Sequence, residues 1–266
     1  MEQRKTGPAP TADEAFSDRP QEDIIAGRNA VAEALRAGRA IDSVLLAKGD
    51  RAGSISALAA QCRRKGLLVK EVDSRKLDAL CGPNHQGIAA LAACKETVTL
   101  DELFAAAEAK GEPPFFVVCD ELEDPHNFGA ILRTAETAGV HGVVIPKRRS
   151  AGLTSAVYKA SAGAVEYVPV ARVSNITDAL REMKKRGVWV YGLDMDGETW
   201  CSVDMKGAAA VVVGSEGRGI SRLVKEQCDF IVSLPMRGHI TSLNASVACG
   251  IVLYEAARQR QGLAAK

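Results

Sequence analysis

Long hydrophobic runs are missing from this 266-residue chain. No apolar stretch approaches the ~20 residues that a bilayer span needs, and no signal-like apolar segment opens the sequence, so the expectation is a cytoplasmic protein with no membrane partner. A charge excess of one sign is missing as well: 34 Lys and Arg against 33 Asp and Glu leave a formal net charge of +1. Any nucleic-acid surface must therefore be a local patch. The seven cysteines, at 62, 81, 94, 119, 201, 228 and 249, are odd in number and scattered. They form no C-x-x-C pair and have no histidine at metal-ligand spacing, which excludes a disulfide framework and leaves no metal site to propose. Aromatic residues make up 5% of the chain, too few to trace a base-stacking platform.

What remains is ordinary globular composition, 47% hydrophobic and 25% charged, in a pattern that divides the chain. Residues 1–21 carry three prolines and little apolar surface, and read as a disordered tail. Residues 22–95 alternate: a helix from Ile24 to Ala37, a strand from Ile41 to Ala47, a helix from Ser54 to Lys65, a strand from Leu67 to Val72, a short helix capped by Ser74, and a strand from Gly87 to Ala93. Residues 96–113 read as a helical linker, with Thr99 and Glu102 at capping-box spacing and Gly111-Glu112-Pro113-Pro114 as the stop.

From 114 to 266 the alternation is longer. Strands are expected near 115–120, 142–146, 165–170, 188–194, 208–213 and 230–234, and helices near 127–138, 154–161, 174–186, 219–227 and 242–258. Near-continuous apolar strands such as Ala208 to Val213 are the kind buried on both faces by helices, so the second domain is expected to be a Rossmann-like α/β structure with a largely parallel sheet.

Three segments at strand-to-helix junctions concentrate polar residues where α/β proteins place ligands. Asp124-Pro125-His126-Asn127 runs into Arg133; Gly214-Ser215-Glu216-Gly217-Arg218-Gly219 follows a buried strand; Ser242-Leu243-Asn244-Ala245-Ser246 opens the last helix. Each has a plain structural reading. Asn127, and Ser242 or Asn244, read as helix N-caps, Arg133 as a surface residue beside Glu136, and the glycines as a tight turn. Each also has a functional reading, with Arg133 clamping a phosphate or ribose, Glu216 holding an arginine or sensing a cation, and the last helix start offering free N–H groups to a carboxylate or an adenine edge. The glycine spacing is neither a Walker A loop nor the dinucleotide fingerprint, which removes the nucleotide-dependent dehydrogenase reading.

In this order and spacing the three segments resemble the motifs of the SpoU (TrmH-type) branch of the SPOUT RNA methyltransferases, over roughly residues 22 to 262. The resemblance implies catalytic roles for Asn127, Arg133, Glu216, Ser242 and Asn244. It implies S-adenosylmethionine as methyl donor, held near Gly214, Glu216, Gly217, Leu234, Met236, Leu243 and Asn244, a trefoil knot in the C-terminal domain, and a homodimer. Gly27 to Val31 and Asn84 to Ile88 are similar to the small ribosomal-protein-like domain of bacterial large-subunit rRNA guanosine 2'-O-methyltransferases. That implies rRNA as partner, with Arg28, Arg63, Arg64, Lys65, His85 and Gln86 as RNA contacts and Arg75 and Lys76 as further phosphate candidates. Arg237-Gly238-His239 departs from the family pattern, where uncharged residues are more usual.

Transfer of a methyl group to a ribose 2'-hydroxyl needs in-line alignment and loss of a proton. A guanidinium stays protonated, so Arg133 is expected to stabilise the developing alkoxide, held by Glu216 and Asn127, rather than to act as base. The alternatives are a tRNA ribose methyltransferase and a catalytically inactive RNA-binding ribosome-assembly factor.

Overall fold

In a computed structural model the described residues are 23–49, 53–93 and 95–264; the expected tail, 1–21, lies outside them. The described residues separate into two compact units, 23–93 and 95–264.

The first unit is a four-stranded sheet in the order β1-β4-β2-β3, with β1 at Ile24–Ala26, β2 at Ile41–Ala47, β3 at Leu68–Val72 and β4 at Ile88–Ala92. Helices α1 (Arg28–Arg36), α2 (Gly53–Arg64) and α3 (Ser74–Cys81) pack around it. The expected helix at Ile24 is corrected: Ile24 to Ala26 pair antiparallel with Leu91 to Ala89, and Gly27, at φ 101°, turns the chain before the helix begins. Strand pairing here overrides the helical spacing. Asp73, not Ser74, caps α3, accepting the Arg75 N–H at 2.9 Å.

The second unit has six parallel strands in the order β10-β8-β9-β5-β6-β7. They are β5 (Phe115–Cys119), β6 (Gly142–Pro146), β7 (Val170–Val173), β8 (Trp189–Thr199), β9 (Ala209–Val213) and β10 (Phe230–Ser233). The central pair β5 and β9 is buried at every residue, as expected for strands covered on both faces. The helices are α4 (Leu100–Lys110), α5 (Pro125–Thr137), α6 (Ser155–Ala160), α7 (Ile176–Lys185), α8 (Arg222–Lys225) and α9 (Ala245–Arg260).

Several expected boundaries move. The apolar run at 165–170 begins as a 3-10 turn, Ala164–Glu166, and the strand forms only at Val170, where pairing with Val143 starts. The helix expected at 219–227 shrinks to α8 because Gly219 holds φ 66° at its start. The capping box of α4 forms as expected, with Thr99 and Glu102 satisfying each other's backbone. Yet α4 is no free connector: Leu103 and Ala107 are fully buried, Val98 bridges Ala171, and a Cβ on Gly142 would lie 2.4 Å from Leu103. Its apolar side completes the sheet's core.

The chain runs outward from β5 through β6 and β7, then returns to the other side of β5 to build β8, β9 and β10. This reversal makes the β5–β9 boundary a topological switch point, the place outside the carboxyl ends of the strands where open α/β sheets bind ligands.

His141 locks the opposite ends of β5 and β6. Its Nδ1 accepts the Phe115 N–H at 3.1 Å, so Nε2 carries the proton and meets Glu112 Oε2 at 3.1 Å. Burial holds the imidazole's pKa below its ordinary value. The unfolded chain takes up that proton near pH ~6.5 and the folded chain only lower, so the stability His141 contributes is present above ~6.5 and is lost as the pH falls through the folded value. Urea midpoints measured between pH 7.5 and 5.5 should fall with pH in the parent protein, and less steeply in His141→Gln.

Candidate active site

The carboxyl ends of β5, β9 and β10 carry the three polar segments. After β5, Asp120 is buried and its Oδ2 accepts the Ser221 N–H at 2.7 Å, pinning the chain just beyond the glycine-rich loop. Asp124 then caps α5, accepting the N–H groups of His126 and Asn127 at 3.1 Å each, with Pro125 at the first helical position. Asn127 is therefore not the cap, and its buried side chain is free for another task.

The glycine-rich loop is closed by its own backbone: Gly219 N–H reaches the Ser215 carbonyl at 2.9 Å and Ser215 N–H the Gly219 carbonyl at 3.2 Å. Gly217 and Gly219 hold φ 82° and 66°, and a Cβ on Gly214 would lie 2.0 Å from the Gly219 carbonyl carbon. Only glycine fits at 214. The turn presents Glu216 at the surface.

Asn244, rather than Ser242, caps α9. Its Oδ1 accepts Ser246 N–H at 3.0 Å, Val247 N–H at 3.3 Å and Ser246 Oγ–H at 2.6 Å. This leaves its amide N–H groups to face the other two segments. Asn244 Nδ2 donates to Asn127 Oδ1 and to Glu216 Oε1, both at 2.8 Å, and Asn127 Nδ2 donates to the same Glu216 oxygen at 2.6 Å. Residues 127, 216 and 244 thus close a hydrogen-bonded triangle across three chain segments.

Arg133 stays outside it. The residue is exposed, and among the described residues its guanidinium has no hydrogen bond or ion pair. Six residues along an α-helix from Asn127 is about 9 Å and a different face, so the expectation that Glu216 and Asn127 hold Arg133 is corrected: they hold each other and Asn244. Ser242 is exposed beside the triangle without joining it. Leu234 is half-buried just after β10, while Met236, Ile240 and Leu243 on the following loop are 39%, 76% and 42% exposed. Apolar surface left uncovered at the carboxyl end of the sheet suits a flat ring system.

In the first unit the candidate RNA contacts do not gather. Arg28 donates to Ser54 Oγ at 3.0 Å and its N–H to Gln86 Oε1 at 3.0 Å, at the start of α2. Arg63, Arg64 and Lys65 lie at the far end of that helix, about 15 Å away along its axis. Lys65 Nζ donates to the Leu35 carbonyl at 2.9 Å. His85 is corrected from contact to framework: it is buried, its Nδ1 accepts Gly87 N–H at 2.9 Å, and Nε2 lies 3.3 Å from Asp78 Oδ1. Burial also pushes the Cys119 and Cys249 thiols up, the latter to about 12, as core residues would be. Among the described residues no group of three His, Cys, Asp or Glu could hold a metal ion, and no helix is long and apolar enough to cross a membrane.

Residues 114–254, containing the whole triangle, match the model of the SpoU rRNA Methylase family. The chain belongs to that family. Residues 24–98 match the model for RNA 2'-O ribose methyltransferase substrate binding. This SpoU-family chain is 48% identical over 241 residues to YacO of Bacillus subtilis (strain 168), named for the TrmH family of tRNA/rRNA methyltransferases, covering 90% of this chain and 97% of YacO. Among solved structures, it resembles the AdoMet-bound rRNA methyltransferase from Sinorhizobium meliloti at TM-score 0.71 and 25% identity, over 91% of this chain and 88% of that one. It resembles the TrmH/SpoU tRNA modifying enzyme of A. aeolicus at TM-score 0.52 and 30% identity, over 61% of this chain and 83% of that one.

Sequence reasoning missed Asp120 and Asp124. The signal for Asp124 was present, since an acid directly before a helix-opening proline is the expected cap. For Asp120 the only signal was an acid ending an apolar strand. Asn244→Ala should cost about 2–3 kcal/mol, combining the cap with two side-chain hydrogen bonds, and Asn244→Ser, which keeps a capping oxygen, should recover about 1 kcal/mol of it in urea denaturation.

Proposed function

We propose that this chain transfers a methyl group from S-adenosylmethionine to the 2'-hydroxyl of a guanosine ribose in large-subunit rRNA, in the cytoplasm. The observation that carries the reading is the triangle of Asn127, Glu216 and Asn244, which ties the three motif segments together at the switch point of a parallel sheet. The preference for rRNA over tRNA is supported by the likeness to the Sinorhizobium rRNA enzyme, which runs through both units, whereas that to the A. aeolicus tRNA enzyme covers 61% of the chain. On this reading residues 22–95 bind substrate RNA and residues 114–266 form the catalytic domain.

The methyl donor would be held by the backbone around Gly214, Glu216, Gly217 and Asn244, with Leu234, Met236 and Leu243 against its adenine. When bound it supplies an electrophilic methyl group on a sulfonium. The uncovered apolar side chains of the 234–243 loop support that fit. The triangle holds this loop and the glycine-rich turn in one arrangement, which supplies the alignment that in-line transfer needs. Ser242, exposed at the head of the third segment, contacts the nucleotide. Arg133, permanently charged, stabilises the developing 2'-oxyanion and the adjacent phosphate.

The working form is a homodimer. On α9, Val247, Ile251 and Tyr254 are 50%, 37% and 53% exposed at i, i+4 and i+7, an apolar stripe of the kind a second copy covers. Gly250 packs beside Thr134, the residue after Arg133, so in a dimer built on that stripe Arg133 would lie near the interface. The trefoil knot implied by the family resemblance would lie in the stretch that leaves β9, forms β10 at the sheet edge and returns to pack α9 on α5 and β9.

Purified protein with labelled S-adenosylmethionine should methylate bacterial large-subunit rRNA, with the position mapped by ribose-methylation profiling. Arg133→Ala should lower the single-turnover rate roughly 10²- to 10³-fold. Transfer confined to tRNA, or none despite donor binding, would favour the tRNA-enzyme or assembly-factor readings. A mixture of Arg133→Ala and Asn244→Ala proteins should regain activity if the arginine serves the second copy.

A further inference from the structure

The loop after β6 carries a basic tripeptide that the methyl-transfer reading leaves unused. Lys147, Arg148 and Arg149 follow Pro146 and are all exposed. On the neighbouring edge strand β7, Arg172 donates from its guanidinium to the Lys147 carbonyl at 3.0 Å. Beside them lies an open cleft of about 420 Å³ lined by Thr97, Val98, Thr99, Lys147 and Arg172.

Unlike an ordinary solvated charge run, this loop is fastened to the active site. Arg149 adopts φ 56° and Glu121, on the loop that leads to Asn127, adopts φ 53°. Side chains avoid that region unless the surroundings impose it. The two strained residues are ion-paired with each other at 2.8 Å, from Arg149 Nη1 to Glu121 Oε1. Two further bonds complete the fastening: Ala151 N–H reaches the Leu122 carbonyl at 2.8 Å, and Ser150 Oγ–H reaches the Pro146 carbonyl at 2.6 Å. Arg149 is thereby committed, whereas the Lys147 ammonium and Arg148 guanidinium have no hydrogen bond or ion pair among the described residues.

Position decides what these cations face. Strand β6 neighbours β5 at about 5 Å, on the side away from β9. The loop after β6 therefore sits one strand from the Asn127 segment and opposite Glu216. With a net charge of +1, the chain attracts polyanions only through such local patches.

We propose that Lys147 and Arg148, backed by Arg172, hold backbone phosphates of the RNA strand leading into the methyl-transfer site, an inference that rests on RNA being the substrate. It assigns to the second unit a phosphate-binding surface of its own, rigidly registered to Asn127. The contact carries no base specificity and works by counterion release, so its signature is the salt dependence of binding.

The test uses the full chain, a single-stranded oligoribonucleotide and purified large-subunit rRNA, with filter binding from 50 to 200 mM salt and no methyl donor. On the oligoribonucleotide, Arg148→Ala should reduce the slope of log affinity against log salt by about 0.7, and Lys147→Ala with Arg148→Ala by about 1.4. Lys185→Ala, which removes a cation from the end of α7, should leave the slope unchanged. Melting temperature and calorimetric S-adenosylmethionine affinity should match the parent protein in all three. An unchanged slope in the double variant, or an equal loss in Lys185→Ala, would overturn the proposal. So would a loss of donor affinity in place of RNA affinity, which would place the donor's carboxylate on these cations. Because binding is read without chemistry, failure of the parent protein to methylate RNA would count against the proposed function and not against this surface.

Discussion

One carboxylate oxygen organises the functional half of this chain. Glu216 Oε1 accepts hydrogen bonds from two amides, Asn127 at 2.6 Å and Asn244 at 2.8 Å, and those amides also bond each other. Residues separated by 89 and 117 positions in sequence are joined at one point. The geometry needs amides at both places, because one asparagine must donate to the carboxylate while presenting an oxygen to the other. The two bonds to the carboxylate are charge-assisted and stronger than neutral ones, and with the neutral amide–amide bond between Asn244 and Asn127 they set the relative position of the surrounding loops.

The rest of the site is arranged so that the triangle can close. Asp124 takes over the capping of α5 and so releases Asn127. Asp120 anchors the chain after the glycine-rich turn, and Gly214 lets that turn fold back on itself. Asn244 performs two tasks through opposite ends of one amide, capping α9 with its oxygen and closing the triangle with its nitrogen. On the other flank, the Glu121–Arg149 ion pair couples the next loop to the same segment. Local backbone needs and ligand-facing geometry are met by the same few polar groups.

Much of the fold was legible in the sequence, for a physical reason. Val and Phe runs such as Phe115 to Cys119 and Ala209 to Val213 can be satisfied only when buried on both faces, so their presence between helical segments dictates a parallel sheet. The capping box at Thr99 and Glu102 formed as read, because both partners lie within one turn. The failures share a cause as well. Ile24 to Ala26 has helical spacing, yet it pairs with β4 some 65 residues away. The apolar residues from 165 to 168 pack as a turn, and α4, read as a connector, supplies Leu103 to the sheet's core. His85 fell among the RNA contacts on motif grounds and is a buried strut instead.

Sequence by itself therefore determined the parallel α/β layering, the motif segments and the family to which they belong, because periodicity, glycine placement and motif spacing are properties of contiguous residues. Tertiary structure alone decided which polar residue caps and which serves the site. It withheld Arg133 from Glu216 and joined the basic loop after β6 to the loop before α5. Those outcomes depend on hydrogen-bond geometry between strands adjacent in the sheet but distant in the chain, and no spacing rule within a single segment encodes them.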